Sequence, residues 1–238
     1  MRRALVTGGS GAIGGAICRA LASGGLHVLV HANASVDRAR ETVESIRSTG
    51  GSAETVAFDV TDRARVAEIL AGLSDPQPVQ VLVNNAGIHD DAPLAGMSGA
   101  QWDSVVRVAL DGFYNVTQPL LLPMIRMRWG RIVNISSVAA ILGNRGQVNY
   151  AAAKAGLHGA TRALAVELAS RGVTVNAVAP GVIESEMASS FGAEQIERLV
   201  PMRRAGKPEE VAALVAFLAS EQAGYISGQI IGVNGGMA

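Results

Sequence analysis

Short runs of aliphatic and β-branched residues recur along the chain, and longer segments with helical periodicity separate most of them. Because these runs are apolar without strict alternation, we expect strands that are buried on both faces, as in a parallel sheet. Strands that alternate with helices predict a doubly wound α/β fold, with helices on both faces of a seven-stranded parallel sheet. The predicted strands are Ala4–Thr7, His27–Val30, Thr55–Phe58, Val79–Val83, Arg131–Ile135, Val173–Val178 and Gln229–Val233.

The same pattern continues from residue 1 to residue 238 without a low-complexity linker or an internal repeat, so we expect a single domain. The composition agrees with this, because 49% of the residues are hydrophobic and only 17% are charged. These values exclude an intrinsically disordered chain and leave ample apolar material for a core.

Charge and cysteine content exclude further classes of protein. Twenty Lys and Arg residues balance twenty Asp and Glu residues, which disfavours binding to nucleic acid or to a membrane surface through bulk charge. One cysteine excludes a disulfide framework, and the scattered histidines show no metal-ligand spacing, so no metal is expected. No apolar run reaches the roughly 18 residues that span a bilayer, and the first strand begins too early for a signal peptide. We therefore expect a soluble, cytoplasmic protein.

A glycine-rich segment connects the first predicted strand to the first helical stretch. Gly9, Gly11 and Gly14 form the pattern G-x-G-x-x-G. Glycines allow the backbone to approach a pyrophosphate closely, and the N-terminus of the following helix offers unpaired N–H groups and a partial positive charge. An ordinary glycine turn is the alternative, but the position between a strand and a helix favours a dinucleotide site.

The end of the second strand bears on the choice of dinucleotide. An acidic residue about 20 residues after the glycines would bind the ribose 2′-hydroxyl of NAD, whereas the strand here ends in His31, Ala32 and Asn33. Without that carboxylate a 2′-phosphate is not repelled, so NADP is favoured. Arg38 is a candidate partner for the phosphate, and a solvated helix residue is the alternative reading of this arginine.

Two later strands also end in residues suited to a ligand. Asp59 and Val60 close the third strand, where the carboxylate could accept a hydrogen bond from an adenine amino group, although a helix N-cap fits equally well. The segment Asn84–Gly87 closes the fourth strand with small and amide residues. Such residues at the carboxyl end of a strand suit a ligand in the crevice, and a plain turn is the alternative.

Three further residues indicate proton transfer. Tyr150 and Lys154 are four residues apart in the helical stretch Asn149–Ser170, so their side chains share one face, and Ser137 closes the fifth strand. An ammonium group near a phenol lowers the pKa of the phenol, which would let Tyr150 exchange a proton nearer neutral pH. The Tyr-x-x-x-Lys spacing alone is more often a surface pair, and the nearby serine strengthens the catalytic interpretation.

With these motifs in this order, the chain resembles the classical short-chain dehydrogenases/reductases over essentially its whole length. The stretches Gly146–Gly156, Val178–Glu184 and Gly232–Met237 are most similar to the 3-oxoacyl-(acyl-carrier-protein) reductases of that family. The resemblance implies a single-domain Rossmann fold, with a cofactor half over about 1–130 and a catalytic half over about 131–238. It also implies NADPH-dependent reduction of a carrier-bound 3-oxoacyl group, in fatty-acid or polyketide-like synthesis, by a homotetramer.

The resemblance assigns roles to individual residues. Ser137 would bind the carbonyl oxygen, Tyr150 would protonate it, and Lys154 would bind the nicotinamide ribose and lower the pKa of Tyr150. The implied cofactor contacts are Gly8, Gly9, Ser10, Gly11, Ile13, Gly14, Asn33, Asp59, Val60, Asn85, Ala86, Gly87, Tyr150, Lys154, Pro180, Gly181 and Ile183.

Two surface features would serve the substrate. Arg128 and Arg171 match positions that contact the carrier in the resembled reductases, and near the pocket mouth they would steer an acidic partner. The alternative is that they are helix-end arginines that complement a helix dipole. The segment Ile183–Arg204 resembles the substrate lid of the family. Four of its apolar residues would face an acyl chain or the core, and they are Met187, Phe191, Leu199 and Met202.

The chain departs from the family pattern at three positions. Ala109 stands where an asparagine usually anchors a water of the proton relay, and Asn115 lies about 240° further around the helix, so it is not expected to replace it. Gly11 stands where many NADP-dependent relatives carry an arginine, and Ala12 replaces a usual glycine. Two other functions therefore stay open: a family member that acts on another ketone or secondary alcohol, and a nucleotide-binding partner subunit of low activity.

Overall fold

The computed structural model describes residues 1–73, 77–185 and 192–238. Within these ranges seven strands form one sheet in the order β3-β2-β1-β4-β5-β6-β7, and every pairing is parallel. The predicted fold class is therefore confirmed. The strands are β1 (Arg3–Val6), β2 (His27–Ala32), β3 (Ser52–Ala57), β4 (Val79–Asn84), β5 (Gly130–Ile135), β6 (Val173–Pro180) and β7 (Ile230–Val233).

All seven predicted strands are present, and β3 differs most because it begins three residues before the predicted Thr55. This strand lies at the edge of the sheet and pairs only with β2, so Ser52 and Glu54 can sit in it without being buried on both faces. The apolar-run criterion misses such residues because it detects central strands.

Helices cover both faces of the sheet. Within the described residues they are α1 (Ala12–Ser23), α2 (Val36–Ser48), α3 (Arg63–Leu73), α4 (Gly99–Val106), α5 (Gly112–Met127), α6 (Ala139–Leu142), α7 (Val148–Leu168), α8 (Ala193–Leu199) and α9 (Pro208–Leu218). Helices α1, α2 and α9 share one hydrophobic core, and α3, α5 and α7 share the other. None of these helices is both long and apolar enough to cross a bilayer.

Neighbouring residues of one strand supply opposite cores. In β4, Val81 and Val83 belong to the core beneath α1 and α9, whereas Leu82 belongs to the core beneath α5 and α7. This alternation follows from the period-two geometry of a strand, and it explains why the central strands carry apolar residues on both faces.

A π-helical turn, Arg107–Asp111, joins α4 to α5, and it includes Ala109. Gly112 donates its backbone N–H to the carbonyl of Arg107, five residues earlier. Such turns are rare and occur frequently near functional sites. The helix before the turn contacts α7, and the helix after it contacts α3 and β4.

The order of the strands positions the candidate site. The sheet grows outward in opposite directions from β1 and β4, so a crevice opens between them at the carboxyl ends of the strands. The motifs after β1, β2, β3, β4, β5 and β6 all lie on loops at this edge, which we call the carboxyl edge. The opposite edge, where the strands begin, is called the amino edge.

Candidate active site

The glycine-rich loop after β1 is closely packed against its neighbours. Gly8 has a φ of +65°, a conformation that favours glycine. A Cβ on Gly14 would lie 2.1 Å from the carbonyl oxygen of Gly8 and 2.8 Å from Nδ2 of Asn85. Gly11 precedes α1 without a side-chain cap. A close-packed glycine loop followed by an uncapped helix N-terminus fits the pyrophosphate of a nicotinamide dinucleotide.

His31, on β2, forms a hydrogen bond with the backbone of this glycine-rich loop. Its side chain is 2% exposed, Nδ1 accepts the backbone N–H of Gly8 at 3.1 Å, and Nε2 lies 2.8 Å from the carbonyl oxygen of Phe58. Because Nδ1 is the acceptor, the neutral ring must carry its proton on Nε2 and donate it to Phe58. Burial lowers the pKa of His31 to about 4, although the carbonyl of Phe58 and the charge of Asp59 oppose this shift.

The lowered pKa makes stability depend on pH. As pH falls, the unfolded chain protonates this histidine near its ordinary value of 6.5, whereas the folded chain resists until about 4. The stabilisation is therefore complete above pH 6.5 and is lost as pH falls toward 4. We expect His31 alone to lower the free energy of unfolding by about 2 kcal/mol between pH 7.5 and pH 5, measured by urea denaturation.

The control for this prediction is His31→Asn, which keeps one donor and one acceptor but does not titrate. Burial also lowers the pKa of His158, which adds a loss in the same direction, so the difference between the two proteins isolates His31. Equal losses in the wild type and in His31→Asn would show that another group is responsible.

The residues after β4 form hydrogen bonds that hold the glycine-rich loop in place. Asn85 donates from Nδ2 to the carbonyl oxygens of Thr7 and Gly8, at 2.9 and 3.1 Å. The hydroxyl of Thr7 accepts the backbone N–H groups of Asn85 and Ala86, both at 2.9 Å. These bonds connect the first and fourth strands across the crevice.

The loop after β3 is supported from α5. Asn115 donates from Nδ2 to the carbonyl of Val60 at 2.9 Å and accepts a bond from Nε of Arg63 at 3.0 Å. A Cβ on Gly112 would lie 2.9 Å from a methyl group of Val60. Asn115 is therefore committed to this loop and does not replace the asparagine that is missing at Ala109.

Asp59 does not cap α3. Its Oδ1 accepts the backbone N–H and the hydroxyl of Thr61, both at 2.8 Å, and Asp62 accepts the N–H of Arg65 at the start of the helix. Asn33 is exposed at the end of β2, as an adenosine contact would require. These positions agree with the predicted contacts, which stay predictions.

The three predicted catalytic residues lie together at the carboxyl edge. Lys154 is 3% exposed, and its Nζ donates to the carbonyl of Ile135 at 2.8 Å and lies 5.8 Å from the ring centre of Tyr150. Ser137 lies close enough to the phenol of Tyr150 to lower its pKa. A Cβ on Gly87 would lie 3.1 Å from the lysine Nζ, so this glycine leaves room for the ammonium group.

The loop that carries Ser137 is anchored to β6. The backbone N–H of Val138 donates to the carbonyl of Pro180 at 2.8 Å, and the N–H of Ala139 donates to the hydroxyl of Ser137 at 3.1 Å. Gly181 donates to the carbonyl of Val233. The predicted turn at residues 180–181 is thus adjacent to Ser137.

Burial is the main cause of the pKa shifts of Tyr150 and Lys154. Burial lowers the pKa of Lys154 to about 8. Burial also raises the pKa of Tyr150 above its ordinary value, the charge of Asp91 adds to the rise, and the nearby Ser137 side chain opposes it. Desolvation of the phenol outweighs the interaction with Ser137, and the expectation that Lys154 lowers the pKa of Tyr150 stays a prediction.

A small cavity lies between Ala109 and helix α7. The side chain of Ala109 packs with Val105 and Ala153, close to Tyr150. The cavity has a volume of about 10 Å³, which is close to the least volume that holds one water molecule. The cavity is lined by Thr7, Val60, Asn84, Ala86, Val108, Ala109, Gly112, Phe113 and Leu157.

The Ala109→Asn variant tests whether the missing amide limits turnover. We expect kcat to rise roughly three- to tenfold, a small part of what general acid–base catalysis contributes, with the KM for NADPH unchanged. Ala109→Leu has a similar shape but no hydrogen-bonding group and is the control. If the asparagine variant shows no gain in steady-state assays, the protein transfers protons by another route.

Arg128 and Arg171 do not lie at the pocket mouth of their own chain. Arg128 precedes β5 and Arg171 precedes β6, so both are at the amino edge, whereas Ser137 follows β5. Six residues of strand separate the two edges by about 20 Å. The expectation that the two arginines lie at the mouth of the pocket of their own chain is wrong. Both are close in sequence to a strand that leads to the site, but they lie at the end of the strand opposite to the site.

The two arginines are nevertheless neighbours on the surface. Arg128 has a left-handed backbone with a φ of 53°, and its Nη2 donates to the carbonyl of Ser170 at 3.1 Å. Arg131 is unsuited to a carrier, because it is buried against Trp129 and donates to the carbonyl of Ser220.

The structure describes only part of Ile183–Arg204, the segment that resembles a substrate lid. Met187 and Phe191 lie outside the described residues. Leu199 and Met202 are exposed, Ile183 is buried in the core beneath α1 and α9, and Arg204 forms a double hydrogen bond with Glu210. A groove of about 330 Å³ lies beside Met202 and the residues after β7.

Comparisons with known proteins agree with this geometry. A family model described as enoyl-(acyl carrier protein) reductase matches residues 8–238. A 3-oxoacyl-(acyl-carrier-protein) reductase of Aggregatibacter actinomycetemcomitans is 44% identical over 236 residues, which cover 98% of each chain. Nodulation protein G of Azospirillum brasilense is 44% identical over 241 residues, 98% of this chain and 97% of its own.

A solved structure supports the same assignment. A crystal structure of another protein, provisionally assigned as a gluconate dehydrogenase of Agrobacterium tumefaciens, superposes on this chain with a TM-score of 0.95. The two sequences are 35% identical, and the match covers 99% of this chain and 95% of the other. The fold and site thus define a nicotinamide-dinucleotide-dependent oxidoreductase. The chain belongs to the short-chain dehydrogenase/reductase family.

Proposed function

We propose that the protein is an NADPH-dependent 3-oxoacyl-(acyl-carrier-protein) reductase that acts in the cytoplasm, in fatty-acid or polyketide-like synthesis. The observation that supports this best is the convergence of Ser137, Tyr150 and Lys154 beside the glycine loop. Its relatives at 44% identity over nearly the whole chain include reductases of that name.

The proposed chemistry divides between cofactor and chain. The nicotinamide supplies the hydride that reduces the 3-oxo carbon. Ser137 would donate a hydrogen bond to the carbonyl oxygen, and Tyr150 would transfer its phenolic proton to that oxygen. Lys154 would bind the ribose hydroxyls through Nζ, which points toward the space above Gly87.

The preference for NADP over NAD is part of the proposal. The end of β2 carries Asn33 in place of a carboxylate, and Asp37 on α2 is paired with Arg40. Neither residue would repel a 2′-phosphate. Comparing kcat/KM for NADPH and NADH tests this preference.

We also propose that Arg128 and Arg171 contact the carrier protein and that the chain acts as a homotetramer. Because the two arginines are at the amino edge, a carrier bound there would present its thioester to Tyr150 of another subunit. Equimolar mixed oligomers of Tyr150→Phe with Arg128→Glu/Arg171→Glu should then regain activity on carrier-bound substrate. The double charge reversal should not change turnover of a small ketone, and Arg65→Glu on α3 is the charge-matched control for the single variant Arg128→Glu.

A second candidate is a family member that acts on another ketone or secondary alcohol, which the structural similarity to the provisional gluconate dehydrogenase favours. A panel of 3-oxoacyl carrier substrates of varied chain length, small ketones and sugar acids, assayed with both cofactors, separates the two. Preferential reduction of 3-oxoacyl groups supports the first function. A low-activity partner subunit, suggested by Ala109, would turn over none of these substrates at an ordinary rate.

A further inference from the structure

The residue directly before Tyr150 connects three elements of the fold. Asn149 is 0% exposed, and its Nδ2 donates to the carbonyl oxygens of Asp90 and Gln101, at 2.9 and 3.0 Å. Its Oδ1 accepts the backbone N–H of Tyr150 at 2.8 Å. One buried side chain therefore links the loop after β4, helix α4 and the first turn of α7.

The loop after β4 is attached to the same turn by other bonds. The N–H of Ala92 donates to the carbonyl of Gly146 at 2.9 Å, and Nε2 of Gln147 donates to the Asp91 carboxylate at 2.8 Å. Nε2 of Gln101 donates to the Asp90 carboxylate at 2.8 Å, which joins the loop to α4. The loop begins beside Gly87 in the crevice, so these bonds connect the crevice to helix α7.

The backbone of Tyr150 depends on this connection. The first N–H groups of a helix have no partner within it, and Gln147, which precedes α7, provides no side-chain cap. The amide of Asn149 satisfies the N–H of Tyr150 and is itself held in place by two carbonyl oxygens from other elements. A displacement of a reacting group by about 1 Å costs on the order of a hundredfold in rate.

We propose that Asn149 is a positioning residue that holds Tyr150 at the geometry for proton transfer. This inference rests on the proposed role of Tyr150 as the proton donor. Asparagine suits the position because it offers two donors and one acceptor on a short side chain. Aspartate has the same shape, but its carboxylate would face the carbonyl oxygens of Asp90 and Gln101.

The test is steady-state kinetics of Asn149→Ala in the full-length protein, with a 3-oxoacyl thioester and NADPH. We expect kcat to fall by about 10- to 100-fold, because the hydroxyl of Tyr150 is no longer held in place. The KM for NADPH should stay within about twofold, because the glycine loop is untouched. In the alcohol-oxidising direction the phenolate accepts the proton, so the acidic limb of the pH–rate profile should move to lower pH as the phenol becomes more exposed.

The matched control is Asn176→Ala. Asn176 is 1% exposed and also makes two hydrogen bonds to backbone, to the carbonyl of Ile226 and from the N–H of Gln229, within β6 and the segment before β7. Its loss should lower the melting temperature without changing kcat. Equal effects of the two variants on kcat would overturn the proposal, because they would indicate general destabilisation.

A second variant keeps the test decisive if Asn149→Ala does not fold. Asn149→Ser retains an oxygen that accepts the N–H of Tyr150 but loses both donations of the amide, and we expect the same selective loss of kcat. Unchanged kcat in a folded variant would overturn the proposal. Tyr150→Phe, assayed alongside, distinguishes the two failures: full activity there would overturn the role of Tyr150 itself.

Discussion

Replacing Tyr150 by phenylalanine should lower kcat by about 10³-fold, because the variant loses the hydroxyl that would protonate the substrate oxygen. The ring should remain in place, since it packs beside Val105, Ala109 and Ala153 through its apolar face. The affinity for NADPH, measured by fluorescence titration, should therefore change little while turnover is lost.

The control for this variant is Tyr225→Phe, which removes the same hydroxyl from a side chain that is fully exposed. It should leave both kcat and the melting temperature unchanged. If Tyr150→Phe kept most of the wild-type kcat, another group would have to supply the proton, and the catalytic assignment would fail.

The second large effect is expected at Gly14. A methyl group in Gly14→Ala would lie 2.1 Å from the carbonyl oxygen of Gly8, a contact that the backbone must move to relieve. The movement would displace the loop that receives the pyrophosphate, so we expect the Kd for NADPH to rise by about 100-fold. Calorimetric titration of the purified variant measures this.

Gly15→Ala is the comparison for that experiment, because it changes the adjacent glycine of α1. A Cβ there would meet its nearest atoms at 3.4 to 3.5 Å, which are ordinary contacts. This variant should bind NADPH normally and gain slightly in stability, since alanine favours a helix. Equal loss of affinity in both variants would show that the effect does not come from the contact with Gly8.

Much of the fold followed from local pattern. The central strands carry apolar residues on both faces because each supplies two cores, and this is what the short apolar runs indicated. The glycine loop, Ser137, Tyr150 and Lys154 were identified because strand ends and helical spacing placed them at one edge of the sheet. Edge strand β3 was extended toward its N-terminus by pairing with β2, which no local pattern encodes.

The supporting residues were harder to predict, because their roles depend on distant partners. His31 contacts a loop 23 residues before it and a carbonyl 27 residues after it, and Asn149 contacts carbonyls 48 and 59 residues away. A signal existed for His31, since a polar residue inside a strand buried on both faces requires partners. The sequence offered no comparable signal for the location of Arg128 or for the net shift of the Tyr150 pKa.

The π-helical turn between α4 and α5 acts as a phase shift of one residue. An α-helix advances by about 100° per residue, so the extra residue rotates the faces before and after the turn relative to each other. Before the turn, Val105 packs toward Tyr150. After the turn, Gly112 and Asn115 face Val60 in the loop after β3. Deleting one residue here would rotate the face that carries Val105 relative to the face that carries Gly112 and Asn115, although none of these three residues had changed.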